Sequence, residues 1–196
     1  MIPYEIADAV SCGKSMFKLL LNLSGVKRFK KIRLRPISYG MKIVSKSLSD
    51  TQKIAKDFIG KISMGVYNTA LVVGLYGDLG SGKTTFTQAV AKIFDIKDDI
   101  TSPTFVIEKI YDIEHPSQIK SQFDGASKDF KKLVHIDAYR LDSAKELSAL
   151  DWDKTLADSR NIIFIEWPER VLEVLPKNHA KINFKFLSEN EREIEI

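Results

Sequence analysis

At 196 residues, with 44% hydrophobic and 29% charged side chains, the chain can bury one ordinary core with room for an appendage. Its single cysteine, Cys12, excludes an internal disulfide framework and a cysteine-based zinc cluster, which fits a reducing compartment. The net charge of +4 is uneven: residues 1–40 hold eight Lys and Arg against Glu5 and Asp8, a net +6, and the remainder is −2.

In chain order, the leader carries the apolar stretch MFKLLLNLSGV, which Lys18 interrupts and which is too short to span a bilayer. Glu5 and Asp8 precede it where a signal peptide would be basic, so no signal peptide is expected. A basic arm suits contact with RNA or acidic lipid. The same composition fits a solvated tail, or a leader foreign to a chain whose natural start is Met41.

MKIVSKSL reads as a short strand. SDTQKIAKDFIGKI follows as a helix, with Ser49 or Asp50 as N-cap and Ile54, Ala55, Phe58, Ile59 and Ile62 on one face. ALVVGLYG is a continuous apolar run suited to a central parallel strand. A glycine-rich loop comes next, then a helix with Phe86, Ala89, Val90, Ile93 and Phe94 at helical spacing. TFVIEKIYDI alternates as a strand, and EHPSQIKSQFDGASKDF is polar and irregular, an exposed loop. KLVHIDAY is a strand, SAKELSALDWDKTLAD a helix, and NIIFIEW a buried strand before a short helix opening at Pro168 and Glu169. AKINFKFL and REIEI alternate as a terminal hairpin around SENE. Strands separated by helices predict an α/β layered fold with a mostly parallel central sheet and a C-terminal β-hairpin.

GDLGSGKT, Gly77 to Thr84, fits G-x-x-x-x-G-K-[ST] at every fixed position and lies between strand and helix. A triphosphate concentrates negative charge, and Gly77, Gly80 and Gly82 let consecutive amides turn inward as an anion-binding concavity. The following helix adds its positive N-terminal end. Lys83 can bridge the terminal phosphates, and the Thr84 hydroxyl can ligate magnesium. The expected phosphate-binding run is Gly77, Asp78, Leu79, Gly80, Ser81, Gly82, Lys83, Thr84 and Thr85. CGKS, Cys12 to Ser15, is a chance match: the pattern's first glycine would fall on Asp8, and no apolar strand precedes it.

Magnesium at such a site needs a carboxylate at a neighbouring strand end. LVHID ends at Asp137 and IIFIE at Glu166, so one can hold the metal shell while the other orients an attacking water. Thr104 in TSPTF is placed to sense a terminal phosphate from a loop that Pro103 stiffens.

GDLGSGKTTFTQAVAKIF, SPTF, HIDAYRL, EL and IEWPER, in that order, resemble the bacterial TsaE (YjeE) family over about Met41 to Pro176. That resemblance implies a P-loop NTPase-like three-layer fold over residues 41–196, behind a basic extension over 1–40. It implies a cytoplasmic, Mg²⁺-dependent ATPase of tRNA threonylcarbamoyladenosine synthesis, binding ATP and working with the TsaD and TsaB subunits. Contact with tRNA is expected to be indirect, and none with membrane. By motif, Lys83 and Thr84 contact phosphates and metal, and Asp137 takes the Walker B position. Thr104 falls in the switch loop, and Glu166 at a carboxylate implicated in hydrolysis, with Trp167 beside it. Asp78 is the family's acid within the loop, and His135, Tyr139 and Arg140 match its pattern. His135 shares a strand face with Asp137, so a hydrogen bond between them is open, as is simple core packing. The leader, a long loop from Glu114 to Lys131, and Leu150-Asp151 where the family commonly has Leu-Gly depart from the pattern. Two other readings stand beside this one: a P-loop kinase acting on a small metabolite, and a non-catalytic nucleotide switch. A GTPase is disfavoured because no N-K-x-D guanine-reading motif occurs.

Overall fold

The computed structural model describes residues 40–63, 65, 67–114 and 129–196. The basic leader, the CGKS match and most of the 114–131 loop therefore lie outside the described residues.

The chain forms β1 (Lys42–Ser45), α1 (Leu48–Ser63), β2 (Leu71–Tyr76), α2 (Lys83–Ile93), β3 (Glu108–Asp112), β4 (Lys132–Asp137), α3 (Ala144–Ser148), α4 (Trp152–Ala157), β5 (Asn161–Glu166), β6 (Ala180–Phe186) and β7 (Arg192–Glu195). The strands make one seven-stranded sheet in the order β1-β7-β6-β2-β5-β4-β3. The four central strands, β6, β2, β5 and β4, run parallel, and β3, β7 and β1 join antiparallel at the edges. The α/β expectation holds, as does the terminal β6–β7 hairpin. The β6–β7 pair is antiparallel because residues 187–191 connect it as a short hairpin, which can only return its strand the other way.

Alternation along the central strands separates two apolar layers. Leu71, Val73 and Leu75 of β2, with Ile162 and Phe164 of β5, pack beneath α1 and α2. Val72, Ile163 and Ile165 face the other side, against Leu147 of α3 and Trp152 of α4. This makes three layers. Phe86 centres the first cluster, its ring 5.6–6.4 Å from those of Phe58, Phe164 and Phe184. Each such fully buried side chain contributes about 1.5–3 kcal/mol.

Three local expectations are corrected. The N-cap of α1 is Ser47, whose Oγ accepts the Asp50 N–H at 3.1 Å while the Asp50 carboxylate accepts the Lys46 N–H. Residues 104–106 are a turn, and strand β3 begins at Glu108 after Ile107, a β-branched residue at φ 65°. The helix expected over 143–158 is two helices, because Asp151 takes the left-handed conformation at φ 55°. Asp151 stands where the pattern it resembles commonly has glycine, the residue that adopts this conformation at least cost.

Candidate nucleotide site

The glycine loop joins β2 to α2 at the carboxyl edge of the parallel strands. Gly77, Gly80 and Gly82 all have positive φ, at 135°, 73° and 103°. Gly77 also needs its missing side chain: a Cβ there would sit 2.3 Å from the Phe184 carbonyl oxygen of β6. The loop can thus fold tightly over the sheet edge only as glycine.

Lys83 curls back into the loop, where Nζ donates to the carbonyls of Gly77 at 2.7 Å and Asp78 at 2.9 Å. Its ammonium lies 4.2 Å from the centre of the Trp167 ring. Burial pushes the lysine's pKa down, opposed by Glu166, Asp137, Glu169 and Asp78. The Asp78 side chain points to solvent, so its part in the loop is its carbonyl, which also accepts the Ser81 N–H. Leu79 and Gly80 are exposed at the loop tip, and Thr85 is partly buried behind it.

Asp137 and Glu166 end adjacent parallel strands in direct register, so both carboxylates leave the same side of the sheet. The Asp137 Oδ2 accepts the hydroxyls of Thr104 at 2.6 Å and Ser102 at 2.9 Å, and its Oδ1 accepts the Tyr139 N–H. The loop containing Thr104 is therefore anchored on Asp137. The Glu166 Oε1 accepts the Thr84 hydroxyl at 2.7 Å and lies 2.9 Å from His135 Nε2. His135 therefore pairs with Glu166 rather than Asp137. Trp167, next in the chain, is held at φ 57° and packs against Tyr139. A bulky aromatic in that conformation is strain of the kind that clusters at functional sites.

Apart from Gly77, Asp78 and His135, these groups line one cavity of about 560 Å³. At one end stand Lys83, Thr84, Asp137 and Glu166; at the other, Ser47, Leu48 and Thr51 of the β1–α1 junction face Asn190 and Arg192 of the terminal hairpin. The volume is in the range of small-molecule sites. The far end was invisible to sequence reasoning, because segments about 140 residues apart meet only through β1–β7 pairing. Ser102 was missed too, although its place two residues before Thr104 in an extended loop was a usable signal.

Two features suit a magnesium–phosphate ligand. The Ser81 hydroxyl is buried within the loop and has no hydrogen-bond partner among the described residues. One buried ammonium faces two buried carboxylates, so a polyphosphate needs a divalent cation for charge balance. Thr84 and Asp137 supply hard oxygen donors of the kind magnesium takes. Among the described residues no group of three or more His, Cys, Asp or Glu is placed to hold a metal ion by itself. No helix among the described residues is long and apolar enough to cross a membrane.

The family model described as "Threonylcarbamoyl adenosine biosynthesis protein TsaE" matches residues 45–194. Proteins named "tRNA threonylcarbamoyladenosine biosynthesis protein TsaE" are similar to this chain. The one from Bacillus subtilis is 32% identical over 136 residues, 69% of this chain and 75% of its own. The one from Treponema pallidum is 30% identical over 156 residues, 80% of this chain and 99% of its own. The crystal structure of Bacillus subtilis YdiB superposes with a TM-score of 0.55 at 28% identity, covering 79% of this chain and 82% of that one.

Proposed function

The chain belongs to the TsaE family of tRNA threonylcarbamoyladenosine biosynthesis, and from that membership we propose that it binds ATP with Mg²⁺ and hydrolyses it slowly, supporting turnover of a TsaD–TsaB complex in the cytoplasm. The observation that carries this reading is the convergence of the glycine loop, Lys83, Thr84, Asp137 and Glu166 on one cavity.

The geometry supports the following division of labour. Loop amides and the α2 N-terminus bind the phosphates, and Lys83 exchanges its loop carbonyls for phosphate oxygens. Thr84 and Asp137 would hold Mg²⁺; Thr84 could do so while donating its proton to Glu166, because the hydroxyl keeps its lone pairs. When bound, the ion would supply neutralisation of charge on the phosphates. Glu166 orients the water that attacks the terminal phosphorus, and Thr104 reports that phosphate's presence to Asp137 through their hydrogen bond.

The test is phosphate release from ATP–Mg²⁺ by the whole chain, alone and with TsaD and TsaB added. Slow release that rises or couples to tRNA modification on adding the pair supports the proposal. Phosphate appearing instead on a small metabolite, indifferent to the pair, moves the assignment to a kinase. Binding without release moves it to a nucleotide switch.

A further inference from the structure

His135 is fully buried on β4, two residues before Asp137 and on the same strand face. It does not line the cavity; it stands behind Glu166, with Nε2 2.9 Å from Oε1. A carboxylate oxygen accepts, so Nε2 carries the proton of this bond. The same Oε1 accepts the Thr84 hydroxyl at 2.7 Å. Both donors thus converge on one oxygen, and Oε2 accepts no hydrogen bond from any described residue. Glu166 itself lines the cavity.

The other imidazole nitrogen, Nδ1, is buried with no hydrogen-bond partner among the described residues. A buried polar atom left unpaired is costly, and a leucine would fill the position without that cost. What the imidazole adds over a leucine is one donor aimed at Glu166.

We propose that His135 is the positioning residue for Glu166: its Nε2–H clamps Oε1 from the protein side and so presents Oε2 to the attacking water. This rests on the hydrolysis reading above. Thr84 holds the same oxygen from the ligand side, where it lines the cavity. His135 is the clamp that does not touch ligand, fixed by the β4–β5 ladder in which Asp137 and Glu166 are partners. Removing it leaves Oε1 held by Thr84 alone, so turnover suffers while phosphate binding, built from the glycine loop, does not.

The test compares the full chain with H135L, which removes the donor, and H135Q, whose amide nitrogen can occupy the Nε2 position. Loss of a charge-assisted hydrogen bond felt only in positioning lowers kcat about 10–100-fold in H135L, with nucleotide affinity changed less than about 3-fold. H135Q restores part of the rate. In an E166A background, H135L lowers kcat no further, because the two act as a unit. A readout independent of turnover is the His135 Nε2–H signal in the ¹⁵N-labelled chain, which is present in wild type and shifts or vanishes in E166A. Equal kcat in wild type and H135L, an undiminished H135L effect in E166A, or an unmoved imidazole signal in E166A overturns the inference. A wild-type chain that retains the signal but releases no phosphate with TsaD and TsaB present overturns the hydrolysis reading instead. Should H135L not fold, H135Q against E166A carries the same comparison.

Discussion

Gly77 is where the loop's path over the sheet depends on a missing atom, and Gly77→Ala measures how tightly. Two costs add. The backbone sits at φ 135°, a conformation side chains rarely adopt, worth about 1–3 kcal/mol. The new Cβ would also lie 2.3 Å from the Phe184 carbonyl oxygen, about 1 Å inside ordinary contact. That oxygen belongs to β6, which β2 and β7 hold on both sides, so relief requires moving a strand. Overpacking of this sort costs about 1–3 kcal/mol. The expected loss is about 3–5 kcal/mol, a large part of an ordinary domain's stability. Gly80→Ala is the control: φ is also positive, at 73°, but nothing lies within 4 Å of its Cβ. It should lose only about 1–2 kcal/mol. The unfolded-state effect of adding a methyl group is common to both variants and cancels in the comparison. Urea unfolding of the full chain, followed by far-ultraviolet circular dichroism, measures both. If the two variants fall within about 0.5 kcal/mol of each other, the close approach to β6 is not what demands glycine, and the reasoning fails.

Asp151→Gly should stabilise the chain by about 0.5 kcal/mol, since it relieves the left-handed strain at φ 55° and outweighs glycine's greater freedom when unfolded. It also removes the charge that, after burial, holds the Glu108 carboxyl above its ordinary pKa; a fall in Glu108 pKa followed by NMR titration checks that part. Nucleotide should change the emission of Trp167, which lies against Lys83, and that response should vanish in Trp167→Phe; Trp152, buried and bonded to the Val174 carbonyl, should contribute none. Hydrogen bonding to Arg160 lowers the Asp158 pKa to about 2, so the pair's stabilisation is present above the ordinary carboxylate range and lost as pH falls through about 2. Because both groups are at the surface, Asp158→Asn should shift acid unfolding by less than about 1 kcal/mol, and only between roughly pH 4 and 2. Glu166→Ala should keep nucleotide affinity while turnover drops about 10²-fold or more; unchanged turnover would remove Glu166 from the mechanism.

Much of this protein is written locally. The spacing of Ile54, Phe58 and Ile62 specifies α1, the run Leu71 to Leu75 specifies a central strand, and GDLGSGKT specifies a loop that only glycines can close, because periodicity and backbone freedom act over a few residues. Asp137 and Glu166 could be singled out for the same reason, as acids closing apolar strands. Their partners could not. That β4 and β5 pair in register, so that His135 reaches Glu166 and not Asp137, depends on strand order. That the β1–α1 junction meets Asn190 and Arg192 across the cavity depends on β7 returning beside β1. The break at Asp151 also lay beyond local reading, since helix propensity there yields to the docking of Leu147 and Trp152 into one apolar layer. The sequence alone singled out the candidate groups of the glycine loop and the two strand-end acids, because their types and local spacing suffice. Tertiary structure decided which of them touch, because those contacts join segments that meet only when the sheet assembles.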